Sequence, residues 1–403
     1  MEQSSLVDAV TKEVTMKSLL FLCLSSALFA GTSSYRISMS EDLRIKPDPT
    51  QPHTLWVGPA VNVDVDKEGN IYVADPKENR IVMFDRNGAF QRQIGGTGQG
   101  PGEFQFLSSI QILEDGSAIA FENQQATNIF TYFNHGFEYQ DRKERNDLSL
   151  MIQGVSFSPD GSKMGGLAVA LDTATGQLVT KSFVADSAFN VLHSWDHDAS
   201  PSFDPSKISD RAYWIEYLAG RFRITGKGLI GFVTFDGAGN VYTAHGSEYV
   251  IKRWDKDLKR YTSFGRKFEP RPRSKAEIEA LVAPAHEAIV AALPAQLQNM
   301  VNAQVVASAI EKAEIPPIHN PINGIRATDN GMLTVVHELS FLKNTTLIDF
   351  FDQNGHYMGA YEHPSSGAGT SMIIKGGYAY VIEANANDDR ELVRYKIQFI
   401  PES

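Results

Sequence analysis

The stretch Val61-Asn62-Val63-Asp64-Val65-Asp66-Lys67-Glu68-Gly69-Asn70-Ile71-Tyr72-Val73-Ala74-Asp75 sets two short apolar runs on either side of a polar turn at Gly69. Apolar and polar residues alternate before the glycine, the period of a strand, so the stretch reads as a β-hairpin. It ends on an ionisable residue six positions after the glycine. The same register recurs at Gly116/Glu122, Gly239/His245, Gly331/His337 and Gly377/Glu383, each time around a short apolar strand such as Ala118-Ile119-Ala120 or Leu333-Thr334-Val335.

The glycine intervals measure the repeat. Gly69 to Gly116 is 47 residues, Gly116 to Gly161 is 45, and Gly331 to Gly377 is 46. A period of about 40 to 50 residues built from short strands and turns marks a β-propeller blade. Gly161 to Gly239 (78) and Gly239 to Gly331 (92) are longer, so sequence has been inserted there. From Ser274 to Ile315 the excess is rich in Ala, Gln and Glu and opens on a Ser274/Glu277 capping box, which predicts helix largely over 274 to 313. Pro294 would break it in two. The expected fold is therefore all-β: a six-bladed propeller over residues 34–403 with a helical insertion at about 266–317, between blades 4 and 5. After Glu383 only the strand from Glu391 to Ile397 remains, so the last blade lacks its outermost strand. An open edge is an aggregation hazard. The segment Tyr35 to Met39, or on through Ile45, is expected to fill it.

A net charge of -11 argues against a nucleic-acid partner, whose phosphates need a basic surface. A composition of 42% hydrophobic and 21% charged residues is ordinary for a globular chain. Met16-Lys17 precedes a dozen mostly apolar residues ending at Ala30, then Gly31-Thr32-Ser33, the layout of a secretory signal peptide over about residues 16–33. Residues 1–15 look like an upstream extension. Cleavage there predicts a secreted or periplasmic protein, without a membrane span in the mature chain and without Cys23, the single cysteine.

Asn70 to Asp75, then Asn79-Arg80-Ile81-Val82-Met83-Phe84, then Ile94 through Gly100-Pro101-Gly102-Glu103-Phe104, resemble an NHL-type repeat. The whole pattern is similar to secreted bacterial six-bladed propeller proteins. The match is close in blade 1, and later blades keep only the hairpin register. The resemblance implies the propeller over residues 35 to 400. It implies no catalytic consensus, because NHL-like propellers include binding modules, lactonase-like hydrolases and a zinc-dependent lyase.

Several strings mimic motifs. Gly96 to Gly102 suggests a phosphate loop, yet no helix opens after it. Asp64, Asp66, Glu68 and Asp75 nearly spell a calcium loop, but Asp64 lies on a strand whose alternate residues face opposite sides. His286-Glu287 and His337-Glu338 begin a metalloprotease motif, with Val290 and Phe341 where the second histidine is required.

What survives is a ring. Residues six after each turn glycine emerge on one face, which predicts Asp75, Glu122, His245, His337 and Glu383 around one channel mouth, interrupted in blade 3 by Leu167. Capping of turns explains the aspartate well and the histidines and glutamates less well. Both insertions join blades on that same face, bringing Trp214, Arg221 and Asn323 over the opening. The expected function is a non-catalytic secreted binding or scaffold propeller, recognising a protein, peptide, glycan or small ligand beneath the helical cap. The alternative is a metal-dependent hydrolase or lyase holding a divalent cofactor on His245 and His337 with Glu122 or Glu383. Zinc would need three or four converging ligands.

Overall fold

The computed structural model describes residues 28–30 and 35–402, except 57–60, 125–126, 147–149, 173–176, 200–203, 229–230, 268, 270, 341, 343–344, 365–371 and 386–388. Its strands form six sheets, one per blade, five of four antiparallel strands and that of blade 4 with a fifth strand added at its outer edge. The innermost strands are Asn62–Val65, Leu107–Ile112, Met151–Phe157, Gly231–Phe235, Gly324–Ala327 and Met372–Lys375. Tyr35–Ile45 pairs antiparallel with Arg390–Pro401 and supplies the outermost strand of blade 6, so the ring closes as the sequence predicts. Leu28–Ala30 lies parallel to the outer strand of blade 4. The rest of the expected signal peptide, with its cleavage region, lies outside the described residues.

The glycine turns of blades 1 and 4 follow one recipe. Asp66 accepts hydrogen bonds from the Asn70 amide, the Asn70 side chain and the Tyr72 hydroxyl, and Asp236 repeats this with Asn240 and Tyr242. Gly69 and Gly239 complete the turns at φ 88° and 78°, where a side chain would be strained. The apolar runs then pack between blades. Val63, Val73 and Phe84 of blade 1 meet Tyr380 and Leu392 of blade 6, while Tyr72 and Ile81 meet Ile110 and Phe133 of blade 2.

Helix is not confined to 274–313. The first insertion, between blades 3 and 4, contains a 16-residue helix α1 (Arg211–Gly226), capped by the Asp210 side chain accepting from the Ala212 amide. Its aromatic residues hid it, because Trp, Tyr and Phe read as strand formers, although Trp214, Leu218 and Phe222 recur every four residues. The second insertion forms α2 (Lys275–Ala292), α3 (Ala295–Gln298) and α4 (Ala303–Ala313), with the expected Ser274/Glu277 capping box and the expected break at Pro294. All but the short α3 share one core, in which Trp214, Leu218 and Phe222 of α1 pack with Val282 of α2 and Val305 and Ala309 of α4. Both insertions thus build one helical module.

Candidate functional site

The five ring residues are each tied down within the fold. Asp75 is fully buried, 3.0 Å from Arg80, and burial pushes its carboxyl up against the pull of that guanidinium. Glu122, also fully buried, accepts from the amides of Gln105 (2.7 Å) and Phe106 (3.2 Å) and lies 3.4 Å from Arg142. His245 is half-buried with Nδ1 2.6 Å from the Ser247 hydroxyl. His337 is buried, its Nδ1 2.9 Å from the Pro321 carbonyl oxygen. Glu383 accepts from Tyr395 (2.7 Å) and sits 3.2 Å from His363 and 3.6 Å from Arg44.

The base of the helical module gathers some of them. Asn323 donates to the carbonyls of Asn320 and His337, so the linker 319–323 is held against His337. A side chain at Gly246, next to His245, would collide with the Gly228 carbonyl at the end of the first insertion. Trp214 is not at an opening: it is completely buried in the module core and donates to the Ile208 carbonyl. Arg221 is exposed on α1. Among the described residues no group of three His, Cys, Asp or Glu side chains is placed to hold a metal ion.

The open space lies elsewhere, on the propeller axis. A cavity of about 650 Å³ is lined by the innermost strands of all six blades and by the turns that follow them. No residue of α1 to α4 lines it.

One position per blade forms a belt around this cavity. Strand register makes Asp64, Gln111, Ser156, Thr234, Arg326 and Ile373 equivalent, paired near the end of the innermost strand opposite Tyr72, Ile119, Gly165, Tyr242, Thr334 and Tyr380. All six line the cavity. An innermost strand has no neighbour within its blade on the channel side, so its inward amides need partners. The belt supplies them across blades: Asp64 accepts from the Ile112 amide (2.7 Å), Gln111 from Phe157 (2.8 Å) and Thr234 from Ala327 (3.3 Å). Gln111 also donates back to the Phe157 carbonyl.

Ser156, whose hydroxyl donates to the Gly165 carbonyl of its own blade, and the apolar Ile373 make no such bond, and Arg326 departs furthest from the pattern. A guanidinium carries only donors, so it cannot receive an amide from the next blade. Among the described residues its side chain makes no hydrogen bond or ion pair. It is exposed to the water of the channel while standing among the inner strands of the other blades. That setting lowers its basicity from the usual arginine value, offset in part by the charge of Asp64. The sequence reading missed Arg326 because it followed the residue six after each glycine; the column five before each glycine, Asp64, Gln111, Ser156, Thr234 and Arg326, holds the signal.

A family described as 6-bladed beta-propeller matches residues 57–156. No curated protein matches the sequence. Among solved structures, a member of the DUF4221 family from Bacteroides vulgatus has a TM-score of 0.52 at 10% identity, covering 91% of this chain and 100% of that one. A Bacteroides fragilis protein whose name marks it as exported has a TM-score of 0.49 at 14% identity, covering 93% and 99%. Virginiamycin B lyase from Staphylococcus aureus has a TM-score of 0.38 at 11% identity, covering 91% and 89%. No described helix is long and apolar enough to cross a membrane. The chain is a six-bladed β-propeller, similar over residues 57–156 to the 6-bladed beta-propeller family.

Proposed function

We infer that this is a secreted, non-catalytic binding propeller whose ligand, a small molecule or the end of a peptide, enters the axial channel. One observation carries the reading: the cavity of about 650 Å³ falls within the range of small-molecule sites, about 300–1,000 Å³, and its wall mixes apolar residues with inward polar groups. Val155, Val233 and Ile325 provide apolar wall, and Asn62, Ser109 and the belt provide the polar points. Export is part of this proposal and rests on the segment 16–33.

The test fills the channel. Gly154 lines the cavity, and a Cβ built there meets nothing within 4 Å. Gly154→Trp should therefore occupy ligand space at little cost in stability, within about 0.5 kcal/mol. Exported protein, whose intact mass should lack Cys23, is screened against a small-molecule library by thermal shift. Compounds that stabilise the native chain should lose their effect on Gly154→Trp; compounds that stabilise both equally would place the site outside the channel.

A further inference from the structure

Two observations about the channel bear on the charge of its ligand. The first is the charge balance along its wall. Asp64 accepts from the amides of Val65 and Ile112 and lies 3.8 Å from Lys375. Asp236 accepts from Ala238, Asn240 and Tyr242 and lies 3.8 Å from Arg253. The remaining carboxylates at the cavity, Glu114 and Asp329, are exposed on the turns beyond the strand ends, as is Lys67. Arg326 is thus a permanent cation set inside the tube while the nearby carboxylates are occupied or lie at the mouth. A cation in a narrow channel keeps only part of its hydration, and a counter-charge in the channel makes up for the rest.

The second observation is room. Blade 3 presents Gly154 to the cavity and blade 5 presents Gly324, each two residues before a belt position. A guanidinium offers a planar fork of donors that matches the two oxygens of a carboxylate or phosphate. We propose that the channel binds an oxyanion, the carboxylate or phosphate group of a small ligand, on the guanidinium of Arg326, with Ser109 of the facing blade 2 as a neutral donor. This rests on the reading of the channel as the binding site. Arginine serves here because its planar fork presents two donors to one oxyanion, where a lysine would offer only a point charge.

The experiment measures thermal shift and calorimetric binding with inorganic phosphate, succinate and citrate at matched ionic strength, with chloride as the blank. The native chain should be stabilised by at least one of these oxyanions, and the phosphate and carboxylate arms identify which group is held. Arg326→Ala and Arg326→Gln should bind at least about tenfold more weakly, the loss expected for removing a charged hydrogen-bonding partner. Arg326→Lys should retain part of the binding. Without ligand, Arg326→Ala and Arg326→Gln should melt at or above the native temperature, because removing an unpaired cation costs no partner. Equal binding in native and variant chains, no oxyanion shift in the native chain, or variants that melt lower without ligand would each overturn the proposal. The Gly154→Trp chain separates the two readings. Oxyanion binding that survives Gly154→Trp removes the channel site itself, whereas a neutral compound lost with Gly154→Trp and kept with Arg326→Ala removes only the anion.

Discussion

The Nδ1 atom of His337 faces the carbonyl oxygen of Pro321 at 2.9 Å, and the ring stands edge-on to Tyr249 with centroids 5.4 Å apart. A carbonyl only accepts, so Nδ1 carries the proton and donates. The imidazole therefore holds the linker that leads from the helical module into blade 5. His245, by contrast, is half-buried and bonded within its own turn to Ser247. The two histidines share a sequence register but differ in what surrounds them, and from sequence alone a double substitution to alanine is expected to change stability little. The contacts point to a split outcome: His337→Ala should destabilise by about 1–3 kcal/mol, from an orphaned carbonyl and a cavity beside Tyr249, and His245→Ala by less than about 1 kcal/mol. Chemical denaturation of both single variants checks this, and a His337→Ala midpoint equal to the native one would refute it. The glycine-plus-six register was legible because turn chemistry is local. Whether such a residue opens to water or is tied to a neighbour depends on side chains far away in the chain, such as Arg142 for Glu122 and Pro321 for His337, which local spacing cannot reveal.

Among elements, the closing strand Tyr35–Ile45 carries the most consequence, since it joins the chain's beginning to its last blade. Its register is anchored by Arg44, which donates to Glu391 (2.7 Å) and to Glu41 (2.6 Å) and reaches Glu383 at 3.6 Å. Glu383 in turn links this strand to Tyr395 in blade 6 and to the buried His363 in blade 5. Burial disfavours the Glu383 carboxylate, but hydrogen bonds from His363 and Tyr395, together with the charge of Arg44, outweigh it and hold the carboxyl below its ordinary value of 4.5. The unfolded chain then takes up a proton before the folded one, so the stability from this group is complete above about pH 4.5 and is lost as pH falls through the lower folded value. Glu383→Gln should cost about 1–3 kcal/mol at neutral pH and flatten the acid side of the stability curve. Urea midpoints across the acid range test it; parallel curves for native and variant chains would exclude the linkage. The need for a closing strand was readable from a last blade one strand short. Helix α1 was not, because aromatic residues at helical spacing satisfy a strand propensity as readily as a helix face.

At the scale of the whole molecule, two kinds of cohesion coexist. The propeller is held by apolar clusters in the seams between neighbouring blades, each drawing on two blades, so every blade depends on both of its neighbours. The helical module has a core of its own, made by residues from two insertions that are separated in sequence by the whole of blade 4. It meets the propeller where its linkers enter the blades: the Asn323 side chain donates to the His337 carbonyl, the Ile322 amide to the Gly246 carbonyl, and Gly228 packs on Gly246. Such an attachment allows the module to open without the ring, since cooperative units follow contiguous buried cores. Val305→Asp places a carboxylate at a fully buried position of α4 and should melt α1, α2 and α4 together, because Val305 shares its cluster with Trp214 and Val282. Hydrogen exchange should then show lost protection over 211–226, 275–292 and 303–313, with the blades protected as in the native chain. Since no module residue lines the axial cavity, oxyanion binding at Arg326 should persist in this variant. Loss of protection across the inner strands of blades 4 and 5, or loss of the thermal shift, would show instead that the module braces the channel and that ring and helices form one cooperative unit.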